Sequence, residues 1–576
     1  MPVHNSDISG IFNKTADLLE IKGENQYRIS AYRNAARIVS TLSVSAADFR
    51  EEGKDFSEIK GIGDDLAGKI EEILDTGTLK QLKDLEGEIP SSLSELMKIS
   101  DLGPKMVKTL HEELEINTRE ELEKAAKEGK LEELEGFGKK TQEKILDTIE
   151  REKKSDIKGR FRIDKAEEAA ISLVNYLKDQ KGIKEIEIAG SYRRRKETVG
   201  DIDILATCKH GRDKEIMEKF VKYDDVEEVI SHGKTRSSVI LRNNLQVDLR
   251  VVQQKSYGAA LLYFTGSKSH NVNLRQMALD KDWKMNEYGI FEGKKQIAGK
   301  TEKEMYEKIG LRYIEPELRE NSGEIEASKN NKLPDLIKLK DIRGDLHTHT
   351  TASDGKYSIE EMAKAAKDKG YEYFAVSDHS KSLTVAKGLD EERLRKQIDE
   401  IDKLNDKIKN FRILKSIEVD IHENGSLDLD EEVLKKLDIV ICSIHSKFKL
   451  SKKKQTGRVL KAMEHPCFNI FAHPTGRFVG EREPYEIDLK EVLKKAADNN
   501  CFLEINSQPR RLDLKDNLAK MAVESGVKLA ISTDAHTTTN LDLIRYGVEQ
   551  ARRGWLRKED VLNTYSWSDL KRMIKK

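Results

Sequence analysis

Seven apolar, mostly β-branched runs alternate with helix-patterned stretches between residues 341 and 576: IRGDLHTHT, YEYFAVSDHS, RILKSIEVDI, LDIVICSIHS, FNIFAHPTG, CFLEINSQP and VKLAISTDAHT. Such repetition predicts a parallel α/β barrel or wound sheet, because parallel neighbours need a long crossover that a helix usually supplies. Most of the runs end in His, Asp or Glu. In a barrel the C-terminal strand ends converge on one face, so these donors would meet around a common mouth.

That segment is two-fifths of a chain of 576 residues, a length that predicts about three to five domains. It also holds 8 of the 13 histidines. With 103 Lys+Arg against 104 Asp+Glu the net charge is -1, so any nucleic-acid contact must be local. No run approaches 18 apolar residues and MPVHNSDISG has no signal-peptide pattern, which predicts a cytoplasmic protein with no membrane contact. Cys208, Cys442, Cys467 and Cys501 form no C-x-x-C pair and read as buried thiols.

Residues 1–85 carry short amphipathic helix patterns such as IFNKTADLLEIKG and AYRNAARIVSTL. Three segments, at 59–74, 99–114 and 134–149, echo one another, each entering a helix through a turn at Gly61 and Gly63, at Gly103, or at Gly136 and Gly138. Such a turn leaves the first N–H groups of the helix free beside its positive dipole end, where a phosphate docks. A single copy reads as an ordinary capped hairpin; three copies favour helix-hairpin-helix elements that grip nucleic-acid backbone without reading sequence.

From 156 to 256 the pattern turns to strands, IKEIEIAGS, DIDILATC, SSVILR and, beyond Asn243-Asn244, LQVDLRVV. Asp201 and Asp203 are two apart on one strand and so share a face, and Asp248 reaches it from a neighbour. Three carboxylates suit a pair of Mg2+ ions. Tyr192-Arg193-Arg194-Arg195-Lys196 supplies cations for polyphosphate.

GSYRRRKETVGDIDIL, VDLR and YFTGSKSHNVNLR together resemble the family X DNA polymerases over residues 1–320. The resemblance implies a metal-binding catalytic triad of Asp201, Asp203 and Asp248, with Mg2+ or Mn2+, and with Asp248 assisting deprotonation of the primer 3'-hydroxyl. It places Gly190, Ser191, Arg194 and Gly200 on the incoming deoxynucleoside triphosphate, Tyr263, Phe264 and Gly266 against its sugar, and Asn271 and Arg275 at the minor groove of the nascent pair. It implies that the N-terminal module holds a 5'-phosphate in gapped or nicked DNA. Lys69 falls where some relatives keep a Schiff-base lysine, but the helper lysine before it is replaced by Asp65, which tends to raise an amine pKa. Two roles stay open for Lys69: lyase nucleophile or phosphate contact.

In the C-terminal runs, His347 and His349 alternate on one strand face with Asp354 beyond, and later strand ends add His379, Glu418, His445, His473, Asp534 and His536. Six imidazoles and three carboxylates exceed the needs of one ion, which predicts two or three Mn2+, Zn2+ or Fe2+ ions with a bridging carboxylate. The order H-x-H, S-D-H, Glu, S-x-H, A-H-P and D-A-H resembles the PHP domain, which implies a distorted seven-stranded β/α barrel and phosphoester hydrolysis.

The expected fold is multidomain, α+β and α/β. It comprises an N-terminal helical module at 1–85, a helix-hairpin-helix fingers-type subdomain at 86–155, a nucleotidyltransferase palm at 156–256, a thumb-type nucleotide-selection subdomain at 257–320, a linker at 321–340 and a PHP domain at 341–576. The expected function is gap filling by a monomeric repair polymerase with a 3'-5' exonuclease, and beside it abasic-site endonuclease or 3'-phosphatase activity. The alternative is a PHP phosphatase whose N-terminal half only binds nucleic acid; the Asp201/Asp203/Asp248 set argues against it.

Overall fold

The computed structural model describes residues 3–574 other than 4, 43–45, 98, 100–101, 135–136, 140, 144, 147–148 and 150–158. The chain divides into two compact units, Met1–Gly159 and Arg160–Lys576. Among the described residues no helix is long and apolar enough to cross a membrane. Three of the four cysteines are buried as expected, whereas Cys208 is half-buried.

The first unit is helical. Asn5–Lys22 and Gln26–Thr41 pair as a hairpin, the second started by the Asn25 side chain accepting from the Tyr27 N–H. Phe12 and Tyr32 meet edge to face in their shared core, ring centroids 5.6 Å apart. Gly63 and Gly103 stand at the N-caps of Asp64–Thr76 and Pro104–Leu114 and give no side-chain cap. The first-turn N–H groups therefore lack a local side-chain acceptor, as phosphate docking requires. Gly61 has φ 97°, and a Cβ there would stand 2.8 Å from Ile38 Cδ1, so only glycine fits that turn. Gly138 precedes the third helical stretch, and Gly136 lies outside the described residues.

The second unit begins with a five-stranded sheet. Its strands run Ile183–Ile188, Asp201–Cys208, Gln246–Val252, Arg236–Leu241 and Val226–His232 in spatial order. Asp201–Cys208 lies antiparallel to the first and parallel to Gln246–Val252. Alternation sends Ile202, Ile204, Val247 and Leu249 into a core with helices Ile163–Lys178 and Asp213–Val221, which leaves the aspartates on the opposite face. The hairpin into Gln246–Val252 turns at Asn243-Asn244 as its polar pair predicts, with Asn244 at φ 66°.

Helices Tyr257–Thr265, Lys268–Leu279 and Glu302–Lys308 and a small antiparallel sheet follow around Leu262, Leu274 and Met305. The stretch 321–340, expected as a patternless linker, holds helix Glu324–Lys329 and packs into the unit. Glu324 is buried against His270, at 2.7 Å, and Ile337 is fully buried. Its polar composition hid this, because Glu324 is satisfied by an imidazole and by the N–H groups of Asn321 and Ser322.

The seven C-terminal runs form parallel strands in sequence order. Gly344–Thr348, Tyr373–Val376 and Arg412–Lys415 make one sheet; Glu418–Asp420, Ile441–Ser443, Ile470–Phe471, Phe502–Asn506 and Leu529–Ser532 make another. The third run is thus broken at Ser416-Ile417, yet Ser416 and Glu418 still donate to the second run at Val376 and Asp378. A parallel bridge between Thr348 and Ala535 returns the seventh run to the first.

Two candidate metal centres

Asp203 and Asp248 are register partners in the parallel ladder, and Asp201 lies two residues before Asp203. In-register parallel partners put their side chains on one face, so the three carboxylates face the same space. Burial pushes Asp203 up to about 7, with the Asp201 and Asp248 carboxylates adding to the rise. Asp201 is raised by burial and by Asp248, with Arg160 opposing. Carboxylates that destabilise one another's charge in this way form a site that a divalent cation relieves.

The turn Gly190–Arg193 is brought against this face because Gly190 has φ 64° and no side chain: a Cβ would stand 2.9 Å from Asp203 Oδ2. Ser191 lies on that turn and Arg194 ends it. The Arg194 guanidinium donates to Glu320 at 3.0 Å and to the Thr265 carbonyl, and Gly266 lies so close that a Cβ would reach its Nη1 at 3.1 Å. Gly200 is likewise confined by Arg160 Nη1, at 3.2 Å. Tyr263 and Phe264 are in edge contact at 5.1 Å, with the Arg250 guanidinium 4.3 Å over the Phe264 ring. Asn271 donates to the Tyr263 carbonyl at 2.7 Å while its Oδ1 is buried with no hydrogen-bond partner; Arg275 is exposed one turn on. Gly190 thus lies against Asp203, Arg194 against Thr265 and Gly266, and Asn271 against Tyr263, which ties the two stretches into one region of the second unit.

The strand-end donors of the C-terminal runs gather in a basin. Three groups have ligand atoms within 4.8 Å of one another: His349, Asp354, His379 and His536; His347, His349 and Asp534; and His379, Glu418 and His445. Glu418 is the hub. Its Oε2 lies 2.8 Å from His379 Nδ1, 3.3 Å from His347 Nε2 and 3.6 Å from His349 Nε2, and its Oε1 lies 2.8 Å from His473 Nε2 and 3.3 Å from His445 Nε2. All nine expected donors are therefore together. His347 Nε2, both His349 ring nitrogens, His379 Nδ1 and Glu418 Oε2 are buried and, close as they stand to one another, none is aligned for a hydrogen bond. Buried polar atoms are rarely left so, and this donor set fits divalent metals.

The basin's electrostatics are strongly divided. Burial drives His349 down to about 3, helped by the neighbouring His379 and His536. Burial also opposes charge on His445 and His536, but carboxylates outweigh it: Glu418 and Asp420 lift His445 to about 10, and Asp354 and Asp534 lift His536 to about 9. Backbone strain accompanies the site, for His473 and Asp534 hold left-handed φ values of 32° and 51°.

Sequence reasoning missed the supports around these donors. The sixth run contributes no expected ligand, yet Glu504 accepts from His347 Nδ1 at 2.8 Å, which leaves Nε2 facing the basin, and its other oxygen accepts the His473 N–H. Asn506 donates to both Glu504 and Asp534. Asp420 lies 3.3 Å from His445 Nδ1. The signal was present in the alternation of E-I-N, where Glu504 and Asn506 share a face. Arg511 comes within 3.6 Å of Asp534 Oδ2, whereas Arg510 is paired with Glu481.

In the first unit Lys69 Nζ donates to Asp65 at 2.5 Å and lies 5.0 Å from the centre of the Tyr32 ring. Burial lowers its pKa, but Asp65 and Tyr32 outweigh this and hold it above the ordinary lysine range.

Family models match most of the chain between residues 3 and 508. They describe a helix-hairpin-helix domain at residues 3–79, a SAM-like helix-hairpin-helix tandem at 93–151, the DNA polymerase beta palm at 160–278, the DNA polymerase beta thumb at 260–320 and a PHP domain at 345–508. The chain is 39% identical over 578 residues to the DNA polymerase/3'-5' exonuclease PolX of Bacillus subtilis (strain 168), covering 100% of both. It is 34% identical over 231 residues, 38% of this chain and 89% of the relative, to a probable phosphatase of Thermoanaerobacter sp. (strain X514). A probable phosphatase of Acetivibrio thermocellus is 31% identical over 201 residues, 33% of this chain and 78% of that relative.

Proposed function

The chain belongs to the family X DNA polymerases that carry a C-terminal PHP domain, and from that we propose a two-site repair enzyme that fills gaps in DNA at its aspartate face and removes 3'-terminal nucleotides at its histidine basin. The observation that carries the first activity is the register pairing of Asp203 with Asp248 beside Asp201. The second rests on the convergence of nine donors around Glu418.

Divalent cations, Mg2+ or Mn2+ among the aspartates and two or three Mn2+, Zn2+ or Fe2+ ions in the basin, would lower the pKa of an attacking hydroxyl or water and neutralise phosphoryl and leaving-group charge. Asp201, Asp203 and Asp248 hold the former, and Asp248 accepts the proton of the primer 3'-hydroxyl. Ser191 and Arg194 bind the triphosphate, with Gly190 and Gly200 allowing close backbone approach. Tyr263, Phe264 and Gly266 pack against the nucleotide sugar, while Asn271 and Arg275 meet the minor groove. His347, His349, Asp354, His379, Glu418, His445, His473, Asp534 and His536 hold the basin ions. Gly61, Gly63, Gly103 and Gly138 mark turns that take DNA phosphates, and Lys69, protonated beside Asp65, serves as a phosphate contact.

The test is one labelled duplex with a short gap and a 5'-phosphate, incubated with Mg2+ or Mn2+ with and without deoxynucleotides. Extension with nucleotides and shortening without them are expected. An unaltered strand in all conditions would sink both assignments. Shortening without extension would leave the phosphatase-type reading of the C-terminal region standing alone.

A further inference from the structure

The loop that carries Arg194 is held from the C-terminal domain. Helix Ile544–Arg553 lies 359 positions away in sequence, yet the Arg553 guanidinium donates to the Arg194 carbonyl at 2.7 Å. The same guanidinium donates to Glu320 Oε1 at 3.3 Å, the oxygen that also accepts from Arg194 Nε, and to Asp516 at 2.6 Å. Arg195 faces Glu549 of that helix at 3.4 Å, and Glu197 accepts from Arg477 at 2.6 Å. Arg553 is 7% exposed, so it is built into the junction.

We propose that Arg553 is a positioning residue for nucleotidyl transfer: by sharing Glu320 with Arg194 it leaves the Arg194 guanidinium charge available to the incoming triphosphate. Glu320 and Asp516 stand among four cations, Arg194, Lys196, Lys515 and Arg553. Removing Arg553 takes away one of the two guanidinium groups that donate to Glu320 Oε1 and leaves Arg194 as the remaining guanidinium on that oxygen. In a partly buried site a guanidinium so neutralised binds phosphate less well, because charge-assisted hydrogen bonds require unspent charge. The C-terminal domain thereby sets nucleotide affinity through Arg553.

This inference rests on the assignment of Arg194 to the triphosphate, and the experiment separates the two. Gap filling by the full chain is measured across deoxynucleotide concentrations for Arg194→Ala, Arg553→Ala, Arg553→Lys and the double variant Glu320→Gln/Arg553→Ala, with 3'-end shortening and cooperative melting as checks on folding. For Arg553→Ala a rise of about tenfold in the deoxynucleotide KM is expected, with kcat within about twofold, the pattern of lost uniform binding. Arg553→Lys restores most of the affinity, and Glu320→Gln in the Arg553→Ala background restores it by removing the competing carboxylate. If Arg194→Ala raises the KM but Arg553→Ala does not, or if Glu320→Gln rescues nothing, the positioning role falls while the site assignment stands. An unchanged KM in Arg194→Ala sinks the assignment itself. Should Arg553→Ala melt early, Glu320→Gln alone still reads the charge effect: a deoxynucleotide KM at or below that of the unaltered chain is expected, and a rise of about tenfold overturns the proposal.

Discussion

Asp203 and Asp248 stand directly opposite one another on adjacent parallel strands, both on the face turned away from the core formed by Ile202, Ile204, Val247 and Leu249. Two carboxylates so placed, with Asp201 beside them, are poorly tolerated without a cation, and burial with this mutual repulsion lifts Asp203 to about 7.

Replacing Asp203 by Asn removes one ligand with little change in volume. Primer extension should fall on the order of a thousandfold, since metal-assisted charge stabilisation contributes several kcal/mol, and 3'-end shortening should persist. Persistent extension measured on the gapped duplex would remove Asp203 from the site.

Glu418 touches five imidazoles, so Glu418→Gln should cost the basin more than loss of a peripheral donor such as Asp354, whose side chain is 35% exposed. Metal content of the purified variant should drop and shortening should fall at least roughly a hundredfold, while extension continues. Equal metal content and shortening in Glu418→Gln and Asp354→Asn would deny Glu418 its central place among the donors.

Acid should loosen the second unit through Glu167 and Glu302. Burial would raise both, but Arg545, Tyr546 and Tyr192 pull Glu167 down to about 2, and Arg319 and Arg193 do the same for Glu302. A carboxylate depressed in the folded state contributes stability that is full above its unfolded value of 4.5 and is lost as pH falls toward 2, roughly 3 kcal/mol for each. Denaturant midpoints should therefore be flat near pH 6 and drop between pH 4.5 and 2. Glu167→Gln should shallow that drop, and an unchanged slope would contradict the linkage.

Lys69 is held protonated by Asp65 and Tyr32, so borohydride trapping on abasic gapped DNA should be weak at neutral pH and rise for Asp65→Asn. Efficient trapping by the unaltered chain, with no gain in the variant, would show that Asp65 does not restrain the amine.

Local patterns carried much of this protein. D-x-D on a strand specifies a shared face through a period of two, and donors at successive strand ends specify a common mouth once the strands are parallel, so Asp201, Asp203 and all nine basin donors were legible as residues. Glu504 was not: the E-I-N alternation puts it on one face with Asn506, but its place behind a histidine is defined only by the 2.8 Å contact to a residue 157 positions away. The folded linker at 321–340 escaped for a similar reason, since its polar residues are satisfied by distant partners. What the sequence determined alone is which side chains point together along a strand. Ladder register decided that Asp248 faces Asp203, and the packing of helix Ile544–Arg553 decided which charges surround Arg194, because both depend on contacts between segments whose separation along the chain encodes nothing about their distance in space.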